Sequence, residues 1–468
     1  MKISFFGATY GVTGSNYMVE AAGKTFLIDC GLFQGDDEEK RLNWEAFPFE
    51  SSQIDFLVLT HSHIDHIGRV PFLVKSGFNG KIYSTGPTKE FAGIFLEDCA
   101  GHMEDEAADL RLPVLFDNSD IAKTLPLFET HTYHEKFSPA EGLEIESYDA
   151  GHILGSAIVK ITADNKTVIF SGDLGNPPVP ILKDTEVPES ADLVIMESTY
   201  GDRIHKPSET RKQELTEAIT KTIERGGTVL MPSFAMERTQ EIIYELGELF
   251  TAQKLKSVPV FLDSPLAIKA NEVYERNTQY FDKEATALIG KGLELFDYPQ
   301  IKISKEKEQS IRIDQDKSPK VIIAGSGMSN GGRIIHHEKV YLPIPTTTLL
   351  IVGFQVKGTL GRRLIDGEKE VKILGENVRV AASVQSIDAY SAHADQKKLL
   401  NWQSRIKNTK QVILVHGEPE AKKALAELIG SKAIIASKEQ SIELAAKPEA
   451  NKENELETNE LEPEYNEI

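Results

Sequence analysis

Thiols are scarce in this chain of 468 residues, which has two cysteines, Cys30 and Cys99. Two cannot build a disulfide framework, so both read as small buried residues and a cytoplasmic, reducing setting is expected. No run of about 18 apolar residues occurs, which excludes a transmembrane helix and predicts no membrane partner. The first residues, Met1-Lys2-Ile3-Ser4-Phe5-Phe6-Gly7, enter a strand-like pattern without the apolar core of a signal peptide. No internal repeat of fixed period is present. Positive charge is also short, with 52 Lys+Arg against 72 Asp+Glu and a net charge of −20. That balance argues at first against an anionic polymer as partner, but the charge is unevenly spread. Between Lys206 and Asp366 there are 23 basic and 21 acidic residues, a near-neutral block inside an acidic protein.

What the chain does hold is a ligand cluster. His61-Ser62-His63-Ile64-Asp65-His66 follows the apolar run from Ile54 to Thr60, which reads as a buried strand. Alternate residues of an extended segment share a face, so His61, His63 and Asp65 point one way while His66 approaches from the next turn. Imidazoles with a carboxylate and no thiolate suit a zinc ion left partly open for chemistry.

The design recurs. Asp29 closes Thr25–Ile28 two residues before Gly31, although a lone Asp before Gly is by itself more often a turn residue. His152 stands between Gly151 and Gly155, and Asp173 between Gly172 and Gly175 after Val168–Ser171. Glu197 follows Leu193–Met196, His393 follows Tyr390-Ser391-Ala392, and His416 closes Gln411–Val415. Strands that end in His, Asp or Glu beside glycine line the mouth of a sheet, where α/β architectures place their sites. His61, His63, Asp65, His66, His152, Asp173 and His416 are too many for one metal and right for two that share a carboxylate. Such a pair, about 3.5–4 Å apart, can clamp a phosphoryl group during in-line displacement.

The middle of the chain changes character. A long helix capped by Ser208 and ended by Gly226-Gly227, strand Val229–Pro232, a helix from Glu237 to Phe250 and strand Val258–Asp263 predict a parallel-sheet domain of its own. Inside it, strand Ile322–Ala324, the loop around Ser326-Gly327-Met328-Ser329 and a helix with Arg333 in its first turns suggest a phosphate cradle. Taken alone that signal is weak, because such turns are common. Arg238 is a second candidate phosphate contact and equally a candidate structural ion-pair residue. Near residue 367 the first pattern resumes, with Val378–Val384 read as one strand and Lys397–Lys407 as a helix. Residues 447–468, rich in glutamate, read as a disordered acidic tail.

Taken together these motifs resemble the metallo-β-lactamase-fold nucleases of the β-CASP group, over almost the whole chain apart from the tail. The His61–His66 stretch is similar to that group's HxHxDH motif, Asp29 to its first, His152 to its third and Asp173 to its fourth. Glu197, His393 and His416 are similar to motifs A, B and C. Asp263-Ser264-Pro265-Leu266-Ala267 and the stretch from Gly353 to Arg363 strengthen the likeness to RNA-processing members, such as the cleavage and polyadenylation endonuclease subunit.

The resemblance implies an α/β fold: an αββα sandwich built from residues 1–205 and 367–446, with an inserted β-CASP α/β domain at 206–366. It implies two zinc ions, one on His61, His63 and His152 and the other on Asp65, His66 and His416. Asp173 would bridge them, and Asp29 would orient a ligand imidazole. His393, kept charged by Glu197, would protonate the departing 3′ oxygen. Ser326, Gly327, Met328, Ser329, Arg333 and Arg238 would hold phosphate near the cut. A histidine at 416 favours RNA over DNA, and an insertion lying over the metals like a lid would exclude a duplex. The implied partner is therefore single-stranded RNA, cut internally with or without 5′–3′ exonuclease action, leaving a 5′-phosphate and a 3′-hydroxyl. A small-molecule hydrolase of the same fold is one alternative, but it would need neither the insertion nor His416. A catalytically inactive scaffold is the other, but inactive relatives lose ligands that are all present here. A homodimer is compatible with the sequence, though no feature points to it.

Overall fold

The strand-end residues converge because their strands lie in two facing seven-stranded sheets. The structure, a computed structural model, describes residues 1–445 apart from 208, 354 and 357. The expected helix cap at Ser208 and the acidic tail at 447–468 lie outside the described residues.

One sheet runs, edge to edge, Ser441–Glu443, Lys2–Phe5, Tyr17–Ala21, Lys24–Ile28, Phe56–Val58, Lys81–Ser84 and Phe128–Thr130. The other runs Ala433–Ile435, Gln411–Leu414, Leu193–Met196, Lys166–Phe170, Ala157–Ala163, Leu143–Asp149 and Phe137–Ala140. Their inner faces share a core in which Phe5, Val19 and Phe26 from the first sheet join Val159, Phe170 and Ile413 from the second. Outside the first sheet, Leu57 and Ile82 pack with Leu73 and Leu96 of helices Val70–Lys75 and Gly86–Leu110. Outside the second, Val194 and Val412 pack with Leu399 and Leu425 of helices Gln396–Ser404 and Pro419–Ile429. Apolar side chains thus face both ways from each sheet, which is why these strands read as continuous apolar runs. The result is an αββα sandwich. Cys30 is buried in it and Cys99 half-buried, both as free thiols.

The insertion forms a third, six-stranded sheet, all parallel: Ile301–Ile303, Val260–Leu262, Lys320–Ala324, Thr228–Pro232, Thr348–Ile351 and Ser383–Ser386. That last strand corrects the expected boundary at residue 366. It pairs with Thr348–Ile351, and Val371, Ile373 and Val378 of the preceding hairpin join the core of the inserted domain. The chain therefore re-enters the sandwich near residue 387 rather than 367. Val378–Val384 is also not one strand, since Glu376–Arg379 and Ser383–Ser386 belong to different sheets. A short apolar run reads alike in either sheet, so periodicity could not assign it.

The inserted domain is docked firmly on the sandwich. Phe91, Leu154 and Ile181 share one buried cluster with Tyr274 and Phe281, and Arg276 Nε donates to Glu90 at 2.8 Å. Ser62, in the middle of the ligand stretch, donates to the Met236 sulfur at 3.5 Å. The insertion therefore reaches the ligand loop itself.

Candidate metal centre and active site

Each ligand sits where a strand stops. The chain leaves Phe56–Val58, reaches His61 through Leu59-Thr60, and carries Asp65 and His66 on the short helix Ile64–Ile67. Asp29 and His416 both have left-handed backbones, with φ of 58° and 47°. Such conformations cost about 1–3 kcal/mol and persist where the surroundings fix them. The neighbouring glycines allow backbone to close on backbone. A Cβ at Gly31 would stand 1.6 Å from the Asp65 carbonyl oxygen, and one at Gly175 would stand 1.8 Å from that of Gly151.

Two groups of ligand atoms result. In the first, His61 Nε2 and His152 Nε2 lie 3.0 and 3.1 Å from His63 Nδ1, and Asp173 Oδ2 lies 3.4 Å from His61 Nε2. In the second, His416 Nε2 lies 3.3 Å from both His66 Nε2 and Asp65 Oδ2. Asp173 faces both, since its Oδ1 is 3.4 Å from His66 Nε2. That Oδ1 is buried and has no hydrogen-bond partner.

Four of the five ligand imidazoles have a partner for the far ring nitrogen. His61 Nδ1 faces Thr60 Oγ1 at 3.1 Å, His66 Nδ1 faces Asp29 Oδ2 at 2.8 Å, His152 Nδ1 faces the Ala392 carbonyl at 3.3 Å and His416 Nδ1 faces Thr199 Oγ1 at 3.1 Å. A ring that donates outward presents its other nitrogen, unprotonated, inward. Burial pushes the His61 imidazole down to about 3 and that of His63 to about 4, so both stay neutral. Lone pairs converging this closely repel unless a cation lies among them, and the orphaned Asp173 oxygen has the same need. The donor set fits metal ions.

His393 stands at the rim of the cluster. Its Nδ1 lies 3.2 and 3.3 Å from the two carboxylate oxygens of Glu197, and its side chain is 20% exposed. Glu197 is itself fixed by the Leu174 N–H at 2.6 Å. Burial alone would lower the His393 pKa, but the carboxylates of Glu197 and Asp173 outweigh it and raise it to about 9. The Glu197 carboxylate thus holds the His393 ring in its protonated form beside the ligands.

The structure thus brings together Asp29, His61, His63, Asp65, His66, His152, Asp173, Glu197, His393 and His416. Sequence reasoning passed over Thr60 and Thr199, whose hydroxyls orient ligand rings. The available signal was position, since each lies within two residues of a strand-end ligand or acid.

The expected phosphate contacts fare differently. Arg238 is buried, ion-paired with Glu241, and lies 5.3 Å over the Tyr390 ring. Arg333 does not reach into the cleft either: Nη1 donates to Asp263 at 2.5 Å and Nη2 to the Lys305 carbonyl at 2.7 Å. Ser329 turns inward, donating to Glu338 at 2.5 Å. The N–H groups of Ser326 and Ser329 close the loop on Gly331 and Ser326. The cradle is narrower than the sequence suggested, because a sequence shows an arginine but not the buried acid that claims it.

That acid belongs to a buried pair of ion bonds. His337 Nε2 lies 2.8 Å from Asp263 and its Nδ1 2.7 Å from Asp314. Burial alone would lower the His337 pKa, but hydrogen bonds to the two aspartates outweigh it and raise it to about 9. A histidine raised above its free value, about 6.5, contributes fully below that value and loses its contribution as pH climbs through the folded value. The His337→Gln protein is expected to show a flatter decline in urea-unfolding free energy between about pH 6.5 and pH 9.5, by up to about 3 kcal/mol. An identical pH slope in both proteins would contradict this.

A sandwich whose strand ends deliver histidines and aspartates to two adjoining ligand groups defines a metal-dependent hydrolase of metallo-β-lactamase type. Residues 9–211 match the Metallo-beta-lactamase superfamily, 239–364 the Beta-Casp domain and 377–436 the Zn-dependent metallo-hydrolase RNA specificity domain. The chain is 38% identical over 430 residues to Ribonuclease TTHA0252 of Thermus thermophilus, covering 92% of this chain and 96% of that one. It is 31% identical to Transcription termination factor FttA of Methanosarcina mazei, covering 90% and 67%, and 27% identical to Integrator complex subunit 11 of Danio rerio, covering 92% and 71%. A crystal structure of a protein of unknown function from Enterococcus faecalis shares the fold, with a TM-score of 0.54 at 12% identity over 94% of this chain and 99% of that one. The chain belongs to the β-CASP family of metallo-β-lactamase proteins.

Proposed function

We propose that this protein is a zinc-dependent ribonuclease that hydrolyses phosphodiester bonds of single-stranded RNA in RNA processing or decay. The observation that carries the reading is the Glu197–His393 pair set beside two ligand groups that share Asp173. His61, His63 and His152 would hold one zinc, and Asp65, His66 and His416 the other, with Asp173 between. When bound, the metals would supply a Lewis acid and activate water at neutral pH.

The chain's own residues do the rest. Asp29, Thr60 and Thr199 fix ligand rings in the tautomer that coordinates. His393 carries the proton for the departing 3′ oxygen, with Glu197 holding the ring in place. The insertion touches the ligand loop through Met236, and a substrate threaded between the two domains would be one strand rather than a duplex. Ser326 and the amides of Gly327 and Met328 are the remaining candidates for a phosphate contact. The two unpaired cysteines support a cytoplasmic site of action.

The test is cleavage of single-stranded RNA labelled at either end, beside matched DNA and duplex RNA. Cutting of the RNA to 5′-phosphate and 3′-hydroxyl products, with poor cutting of the others, is the expected result. The distribution of labelled products separates internal cutting from 5′–3′ degradation. Hydrolysis of small thioesters or lactams without RNA cleavage would refute the proposal.

A further inference from the structure

The loop from Ala8 to Gly14 borders the second ligand group. The His416 N–H donates to the Ala8 carbonyl at 2.7 Å, the Gly417 N–H to that of Gly11 at 3.2 Å, and the Ser15 N–H to that of Asp65 at 2.9 Å. The loop is thereby tied at several points to residues that carry or adjoin metal ligands.

A further tie is energetically expensive. Lys422, in helix Pro419–Ile429, is only 2% exposed, and its ammonium donates to the carbonyls of Thr9 and Tyr10, the latter at 3.2 Å. Taking an ammonium out of water is unfavourable unless its donors are fully used. Here they are used to hold the backbone of a surface loop. The side chain presented by that fixed backbone is Tyr10, at 76% the most exposed large hydrophobic side chain among the described residues.

We propose that Tyr10 is a stacking platform for a nucleobase of the strand that lies in the metal centre, with Lys422 as its positioning residue. The inference rests on the ribonuclease reading above. An aromatic ring on a fixed backbone stacks with little ordering cost, and because every base has a π-face the contact is tolerant of sequence. The platform therefore binds and registers the strand without selecting a base. Stacking needs the ring and not the hydroxyl, so phenylalanine and tryptophan serve equally.

The experiment measures steady-state cleavage of a single-stranded oligoribonucleotide by wild type, Tyr10→Ala, Tyr10→Phe, Tyr10→Trp and Lys422→Met. Tyr10→Ala is expected to raise KM about tenfold or more with kcat within about twofold, as loss of one stacked base predicts. Tyr10→Phe and Tyr10→Trp are expected to match wild type, and Lys422→Met to raise KM in part. An abasic residue moved along the oligonucleotide is expected to weaken wild type at one position and to leave Tyr10→Ala indifferent there. Wild-type KM in Tyr10→Ala, with RNA still cut, overturns this inference alone. Failure of the wild-type protein to cut RNA overturns the ribonuclease reading and this inference with it.

Discussion

Replacing His393 with alanine is expected to slow cleavage of single-stranded RNA by about 10²–10⁴-fold, the usual contribution of a positioned general acid. The change should leave metal content untouched, because the ring stands outside both ligand groups and comes only within 3.9 Å of Asp173. Removing the ring leaves the buried Glu197 carboxylate without its partner, so the thermal unfolding temperature is expected to fall as well. A chemical substitution in the substrate separates the acid from any structural role. RNA carrying sulfur in place of the bridging 3′ oxygen at the cut releases a leaving group that needs no proton. That substrate is expected to recover most of the lost rate in His393→Ala. Wild-type cleavage of ordinary RNA by the variant would remove His393 from the mechanism.

Asp173→Asn is expected to have the other large effect. The carboxylate serves both ligand groups, with Oδ2 toward His61 and Oδ1 toward His66. An amide keeps the shape but carries no charge and has one acceptor oxygen in place of two. Metal content measured on purified protein should fall for both positions, and activity by at least about 10²-fold, beyond the range seen when only an outer partner of a ligand is lost. His416→Ala provides the contrast. Removing a ligand from the second group alone should lower the content by about one metal per chain. Unchanged metal content in Asp173→Asn would exclude a bridging role.

The ligands were legible because their chemistry is concentrated in short stretches. His61–His66 declares itself by spacing, and Asp173 by a buried strand followed by an acid between glycines. Glu197 and His393 were legible as members of the strand-end pattern, but nothing local marks them as a pair; the fold brings Nδ1 within 3.2 Å of the carboxylate. Arg238 and Arg333 show the opposite limit. Arginine beside a glycine-rich or helix-starting segment looks like a phosphate contact, and only the fold reveals Glu241 and Asp263 already claiming them. The end of the insertion was misplaced for a related reason. Ser383–Ser386 joins the third sheet by parallel pairing with Thr348–Ile351, a long-range choice that local pattern does not encode.

The position of Gln411–Leu414 has a consequence for the timing of activity. This strand lies inside the second sheet, between Leu193–Met196 and Ala433–Ile435, and it delivers His416. Synthesis proceeds from the N-terminus, so six of the seven ligand residues emerge long before this strand exists. Until then Leu193–Met196 is an open edge, and the second ligand group lacks a member. Both ligand groups are therefore complete only once this strand has paired beside Leu193–Met196.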